Sequence, residues 1–280
     1  MALDKMQASR FEQKYLVTED VALQVRDFVR SYLELDENGV GKPNFSYPVH
    51  SLYLDSDDLR TYWETINGNK NRYKLRLRFY NSLPDSPVFF EIKRRMNNTI
   101  HKQRGGVRRA AVDEVLAGRL PMASDMVSMD PKHLVALQNF SRLMIEIGAR
   151  PKVHIAYCRE AYVPHDDNSA RLTMDREIRF EPELTAQLST EMLNPIMIWG
   201  RDIVLELKFT NRFPDWMREL VRVFSLRQCG AAKYADGVAL QGEYRLKPQA
   251  SIRAGEELDK SPVNAQSVAP SASTTAFTNG

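Results

Sequence analysis

Residues 73–80, Tyr73-Lys74-Leu75-Arg76-Leu77-Arg78-Phe79-Tyr80 ("YKLRLRFY"), carry a cation at every second position between residues 74 and 78. Alternate side chains of a β-strand point to opposite faces. The segment is therefore expected to be a strand with Lys74, Arg76 and Arg78 on one face and Leu75, Leu77 and Phe79 on the other.

The same alternation recurs outward along the chain. "RFEQKYLV" alternates Glu12 and Lys14, and "VFFEIKRR" alternates Glu91, Lys93 and Arg95. "RLTMDREIRF" alternates Arg171, Thr173 and Asp175, and "IVLELKF" sets Glu206 and Lys208 opposite Leu205, Leu207 and Phe209. "VHSLYLDS" reads as a further strand, and "ARPKVHIAYCREAYV" as a long one whose faces stay unassigned. Helical spacing appears after Thr18, in "DSDDLRTYWETING", in "PKHLVALQNFSRLMIEIG" and in "FPDWMRELVRVFSL". Short strands with a few helices point to an α+β fold dominated by an antiparallel sheet. Taken singly, each charged face is the wet side of a sheet. Five such faces together suggest a sheet closed with its charge inward, giving a barrel with a polar, basic lumen clad by amphipathic helices.

Composition leaves this reading open without dictating it. The 280 residues are 43% hydrophobic and 27% charged, with a net charge of only +3. These values suit an ordinary globular protein, so the placement of the cations matters more than their number. The N-terminal "MALDKMQASRFEQKYLV" lacks a signal-peptide core, and no apolar run approaches a membrane span. Cys158 and Cys229 have no metal-like spacing. A cytoplasmic protein without a membrane segment of its own is expected. Residues 1–246 are expected to be ordered, and 247–280, rich in Ser, Ala, Pro and Thr, to be a disordered tail.

A row of cations inside a barrel needs a counter-charge. Two unit charges about 4 Å apart interact by roughly 4 kcal/mol at an effective dielectric near 20. Interleaved acids, water or a polyanion must therefore balance the row. Arg forks match phosphate oxygens and Lys serves as a point charge. A triphosphate or a linear polyphosphate suits such a lumen. Glu12, Glu91, Asp175 and Glu206 sit among these cations. Hard Mg²⁺ or Mn²⁺ takes carboxylate and phosphate oxygens together. A metal held by Glu206 and the substrate would support phosphoryl transfer without a protein nucleophile.

These segments carry a resemblance. "RFEQKY", "SLYLDSDDLRTYWETINGNKNRYKLRLRFY", "FFEIKRR", "YCREAY", "ARLTMDREI", "VLELKF" and "AAKYADG" fall in order from residue 10 to about 237. Together they resemble the VTC (vacuolar transporter chaperone) domain, the polyphosphate polymerase branch of the triphosphate tunnel metalloenzymes, which include the CYTH hydrolases. The resemblance implies an eight-stranded antiparallel tunnel barrel. It also implies transfer of the terminal phosphoryl group of ATP to a growing polyphosphate chain, with Mn²⁺ or Mg²⁺ as cofactor. Carried over by position, it implies phosphate contacts from Lys14, Lys74, Arg76, Arg78, Lys93 and Lys102. Arg159, Arg171, Lys208 and Lys233 would join them. Lys74, Arg76, Arg78, Lys93 and Glu206 form the implied catalytic set, and Glu206 is the implied metal ligand, with Glu12 and Glu91 as further candidates.

Two departures stand out. The superfamily's opening Glu-x-Glu-x-Lys is here Arg10, Glu12 and Lys14, as in the VTC branch, and Ala232 precedes Lys233-Tyr234 where Ser is common. Eukaryotic VTC subunits add an inositol-phosphate sensor domain and a membrane segment. Neither is recognised in these residues, so translocation would need a separate membrane partner. A metal-dependent triphosphatase and a non-catalytic polyphosphate or nucleotide sensor are the alternative functions, since both use the same site. Nucleic acid is not an expected ligand, because acids alternate with the cations on the same faces. "HKQRGGVRRAA" (101–111) is expected to be a solvated loop at the tunnel mouth rather than a phosphate cradle. The five histidines are expected to form no metal-type pair, and the three tryptophans to pack in the core or against helices.

Overall fold

The computed structural model describes residues 10–97, 99–165 and 169–246. The tail expected at 247–280 lies outside them, as does the side chain of Arg10. The chain begins with β1 (Arg10–Val17), α1 (Glu19–Val29), the short β2 (Glu34–Leu35), β3 (Ser46–Asp55) and α2 (Arg60–Ile66). Next come β4 (Asn71–Phe79), β5 (Pro87–Met96), β6 (Thr99–Arg108), α3 (Val112–Leu116) and α4 (Pro131–Glu146). It ends with β7 (Arg150–Val163), β8 (Ala170–Pro182), the short β9 (Ile196–Met197), β10 (Ile203–Thr210), α5 (Asp215–Val223) and α6 (Lys233–Gln241).

The strands form one antiparallel sheet in the order β1-β10-β8-β7-β3-β4-β5-β6, with β2 added to β7 and β9 to β8. The expected α+β class and antiparallel sheet are therefore present, but closure is not. Among the described residues no backbone ladder joins β6 to β1, and the sheet has ten strands where eight were expected. It curls far enough for Lys93 on β5 to reach Glu12 on β1 at 3.0 Å, so side chains bridge the seam instead of backbone bonds.

Amphipathic helices cover the outer face. Leu75, Leu77, Phe90 and Ile92 pack against Leu137 and Phe140 of α4 and Val112 and Val115 of α3. On the other side Leu172, Met174, Leu205 and Leu207 meet Ala22, Val25 and Val29 of α1 and Met217 and Leu220 of α5. Each such burial stabilises by about 1.5–3 kcal/mol. Local caps fix the helix starts. The Asp130 carboxylate accepts from Lys132 N ahead of Pro131. Asp55, at the end of β3, accepts from Thr61 N (2.9 Å), Tyr62 N (3.0 Å) and the Tyr234 hydroxyl (2.8 Å), tying α2 and α6 to the sheet.

α6 is different because it packs on the inner face. Tyr234, Ala235 and Val238 lie against Val153, Ile155, Phe180 and Val204. A Cβ at Gly237 would sit 2.1 Å from the Phe180 ring, so only glycine permits this approach. The solvated loop expected at 101–111 is instead the strand β6 up to Arg108, followed by a short helical turn. Gly105 admits α4: a Cβ there would lie 2.5 Å from Leu137 Cγ and 2.7 Å from His133 O. Trp63 is also unlike expectation, being 41% exposed, whereas Trp199 and Trp216 pack against the core.

Two of the five histidines do meet. His50 Nδ1 and His154 Nε2 lie 3.0 Å apart, both buried and stacked on Phe79. No metal-ligating group of three forms around them among the described residues. Burial pushes both imidazoles down, His50 to about 4 and His154 to about 3, with Arg179 adding to each and His50 to His154. The unfolded chain thus binds these protons first, and stability present above pH 6.5 is lost as pH falls towards the folded values. Unfolding free energy is expected to drop by about 2.5 kcal/mol between pH 7 and 5.5 from this pair. Urea denaturation at both pH values checks it, and the His50→Gln/His154→Gln double variant should flatten the slope.

Candidate active site

Strand register builds the site. Tyr53 on β3 lies opposite Arg76 on β4, which lies opposite Glu91 on β5, which lies opposite Arg104 on β6. One row away Ser51 lies opposite Arg78, and Lys74, Lys93 and Lys102 form another row. On the far side of the seam Glu12 lies opposite Lys208, and Lys14 opposite Glu206. Arg159 of β7 lies opposite Asp175 of β8. The period of two thus gathers all of these side chains on the inner face.

Glu91 is an anionic hub. Its Oε2 accepts from Arg76 Nε (2.9 Å) and pairs with Nη2 (2.7 Å), while Oε1 pairs with Lys102 (2.6 Å) and Arg104 (3.4 Å). Burial raises its carboxyl, but Arg76, Arg78 and Lys102 hold it well below the usual range. Arg76 also donates to the Tyr53 hydroxyl (3.1 Å), and Arg78 to Ser51 Oγ and the Tyr157 hydroxyl (both 3.1 Å). Arg78 Nε and Arg104 Nε are buried without a hydrogen bond. Both instead face Glu91, at 4.0 and 3.4 Å.

A second hub is Glu206. Lys208 approaches it at 2.5 Å, Lys233 at 3.4 Å, Lys14 at 3.5 Å and Arg159 at 3.8 Å. Burial pushes its carboxyl up, yet Lys208, Lys233, Lys14 and Arg159 bring it well below the ordinary value. Asp175 takes two bonds from Arg159 (both 2.7 Å) and one ion pair from Lys233 (2.7 Å). Glu12 pairs with Lys93 (3.0 Å) and Lys14 (3.4 Å). Among the described residues no three carboxylate, His or Cys side chains converge as a metal cage. Glu206 flanked by Glu12 supplies one or two hard oxygens, the number a divalent ion takes when phosphates fill its other positions. Glu91 and Glu206 are each surrounded by four cations, whereas Glu12 pairs with two.

Nine of the ten expected phosphate-binding cations converge on this face. Arg171 lies opposite Lys208, but its guanidinium turns to Asp36 at 2.9 Å on the rim. Arg104 was missed, although it stands two residues from Lys102 and shares its face. With it, ten cations face four acids, Glu12, Glu91, Asp175 and Glu206. Tyr53, Tyr157 and Ser51 were missed because hydroxyl side chains on apolar strands carry no charge pattern. Solvent enters along β5 and β6, where the Lys93 and Lys102 side chains are 34% and 46% exposed.

Among the described residues Lys74 has no carboxylate partner, and its ammonium lies 5.7 Å from the Tyr234 ring centre. Burial, with Lys14, Lys93 and Arg72 nearby, outweighs the raising effect of Tyr53 and brings it down to about 8. Burial raises the Tyr53 phenol, but Arg76, Lys74 and Arg78 lower it to about 8. Above that pH the site loses a cation and gains a phenolate. Affinity for inorganic triphosphate is therefore expected to fall as pH rises through 8, by up to tenfold per pH unit for each group. The Lys74→Arg to wild-type affinity ratio, measured at each pH by calorimetry, cancels the ligand's own titration. It should climb above pH 8.

Among the described residues no helix is long and apolar enough to cross a membrane. The VTC domain family model matches residues 9–241. Vacuolar transporter chaperone complex subunit 2 of Schizosaccharomyces pombe is 23% identical over 274 residues, covering 81% of this chain and 37% of that protein. The chain thus spans little more than a third of that curated relative. A putative adenylate cyclase from Bacillus halodurans matches 80% of this chain and 94% of its own, at 12% identity and a TM-score of 0.44. The PH1819 protein from Pyrococcus horikoshii matches 83% of this chain and 99% of its own, at 12% identity and a TM-score of 0.41. The family match runs from β1 through α6 and takes in both charge hubs, and the chain belongs to the VTC domain family.

Proposed function

We propose that the curled sheet works as a phosphate tunnel in which the terminal phosphoryl group of ATP passes to a growing polyphosphate chain. The observation that carries this reading is the excess of ten cations over four acids around the two hubs on the inner face. Membership of the VTC domain family and likeness to the fission-yeast vacuolar transporter chaperone subunit support a polyphosphate-related role. That relative is named as a subunit of a complex, so further subunits, including a membrane partner, are the proposed companions.

A terminal oxygen of the polyphosphate chain forms a bond to the γ-phosphorus, the bond from that phosphorus to the β,γ-bridging oxygen breaks, and ADP leaves. Arg76 and Arg78 fork the phosphate oxygens, Lys74 and Lys93 add point charges, and Arg159, Lys208 and Lys233 neutralise charge on the far wall. Such positioning and neutralisation are the main contributions a protein makes to phosphoryl transfer. Glu206, with Glu12, would hold Mn²⁺ or Mg²⁺, whose chemistry is to neutralise charge on the phosphate oxygens.

Purified protein with ATP and Mn²⁺, assayed for free phosphate and long-chain polyphosphate together, tests the reading. Polyphosphate growing as ATP falls is the expected result. Phosphate alone would make the protein a triphosphatase, and tight triphosphate binding without turnover would make it a sensor.

A further inference from the structure

The cation ladder does not stop at the central site. Four residues along β4 from Arg76, about 13 Å at strand rise, Arg72 lies opposite Arg95 of β5. Their sequence positions put both on the inner face with Lys74 and Lys93. Beside them is a cleft of about 450 Å³ lined by Gly68, Lys70, Arg72, Arg95 and Asn97.

The acids end before this cleft. Glu12, Glu91, Asp175 and Glu206 all pair with cations of the central site. Among the described residues no carboxylate lies within ion-pair distance of Lys70, Arg72, Lys74 or Arg95. Glu64, which lies near enough to act on Arg72, is itself paired with Arg60. The cleft arginines bond only to backbone carbonyls, Arg72 to Asn69 O and Arg95 to Asn97 O. Such bonds orient a guanidinium without neutralising it.

Like charges directly opposite across strands destabilise a sheet. Here Arg72/Arg95, Lys74/Lys93 and Lys93/Lys102 make three such pairs in succession. Fold stability gives no reason for them, whereas a linear polyanion lying along the ladder does. No aromatic ring lines the cleft, so nothing there would stack a base.

We propose that Lys70, Arg72 and Arg95 form a second anion subsite, continuous with the central one, that holds the part of a linear polyphosphate chain extending beyond Arg76. The proposal rests on the central phosphate reading. Three linked phosphates seated at Arg76 do not span to Arg95, so only longer chains engage the subsite. Short and long ligands therefore separate the two sites.

The test compares inorganic tripolyphosphate with long-chain polyphosphate on wild type and Lys70→Gln/Arg95→Gln, across a salt series. Both side chains are exposed, so the fold should be retained. The double variant is expected to weaken long-chain binding about tenfold and to change tripolyphosphate binding less than twofold. The slope of log K against log salt should fall by about 1.4 for the long chain, at about 0.7 per contact on a single strand. Unchanged long-chain binding, or equal losses for both ligands, would overturn the subsite while leaving the central site standing. A single-stranded oligonucleotide outcompeting polyphosphate of equal charge would overturn the choice of ligand. Wild type that binds neither phosphate would overturn the central reading and this one with it.

Discussion

Glu206→Gln is expected to bind inorganic triphosphate about tenfold more tightly than wild type while turning ATP over at least about 100-fold more slowly. The side chain is almost fully buried among Lys14, Lys208, Lys233 and Arg159, all within 3.8 Å. An amide of the same shape removes one negative charge, leaving Lys208 without an ion pair among the described residues while Lys14 keeps Glu12 and Lys233 and Arg159 keep Asp175. The unliganded fold should lose about 3–5 kcal/mol, the range for unpairing a buried charge. A polyanion recovers about 1.4 kcal/mol of that loss on binding, the equivalent of tenfold, so triphosphate should raise the melting temperature of the variant more than that of wild type. Opposite changes in binding and turnover separate two roles. A carboxylate that only balances lysines would give tighter binding with turnover within tenfold of wild type. One that also holds a divalent ion with the phosphates loses turnover outright. Calorimetry with a non-hydrolysable triphosphate and a steady-state ATP assay read the two quantities.

Alternation made much of this site legible before any fold was known. Where one face is charged and the other is Leu, Ile, Val or Phe, as in β4, β5 and β10, the assignment of side chains to faces follows from the residues. β7 defeats that rule because both its faces are buried. Tyr157 and Ile155 point inward, while the polar His154 and Glu160 lie outward, Glu160 held by Arg26 and Arg176. β8 keeps its pattern only to Asp175. Glu177 then takes a left-handed conformation (φ 51°) where the β7–β8 register shifts, and Phe180 comes round to the inner face. β6 looked like a loop because Gly105 and Gly106 usually mark one, and the helix that needs the missing side chain of Gly105 lies about thirty residues later. Closure was illegible for a different reason. Whether β6 meets β1 depends on the accumulated stagger of eight strands, which no single segment encodes. Lys233 was found only through resemblance. Its nine-residue helix packs against the inner face of the sheet, and its exposed residues, Ala239 and Leu240, are apolar, so no polar face sets its period.

Arg76 tests the other hub. Its Nε and Nη2 meet Glu91 Oε2, and its Nη1 meets the Tyr53 hydroxyl, so two cross-strand neighbours fix the plane of the fork. A guanidinium has five N–H donors, which leaves two to point into the cleft. Arg76→Lys keeps the charge but loses the plane, and triphosphate affinity should fall about tenfold. Arg76→Ala loses both, and the expected drop is about 100-fold or more, or roughly 3 kcal/mol. The fold should survive, because Arg78, Lys102 and Arg104 still face Glu91. Tyr53 supplies an internal reporter. Burial raises its phenol and Arg76 is the leading cause of the net fall to about 8. In Arg76→Ala the phenolate should therefore appear at higher pH than in wild type, read by ultraviolet absorbance with Tyr53→Phe as the blank. Lost affinity with an unmoved phenol would mean that Arg76 does not sit where this site requires. Lost affinity with the phenol shifted upward would tie the phosphate site to the row Tyr53–Arg76–Glu91.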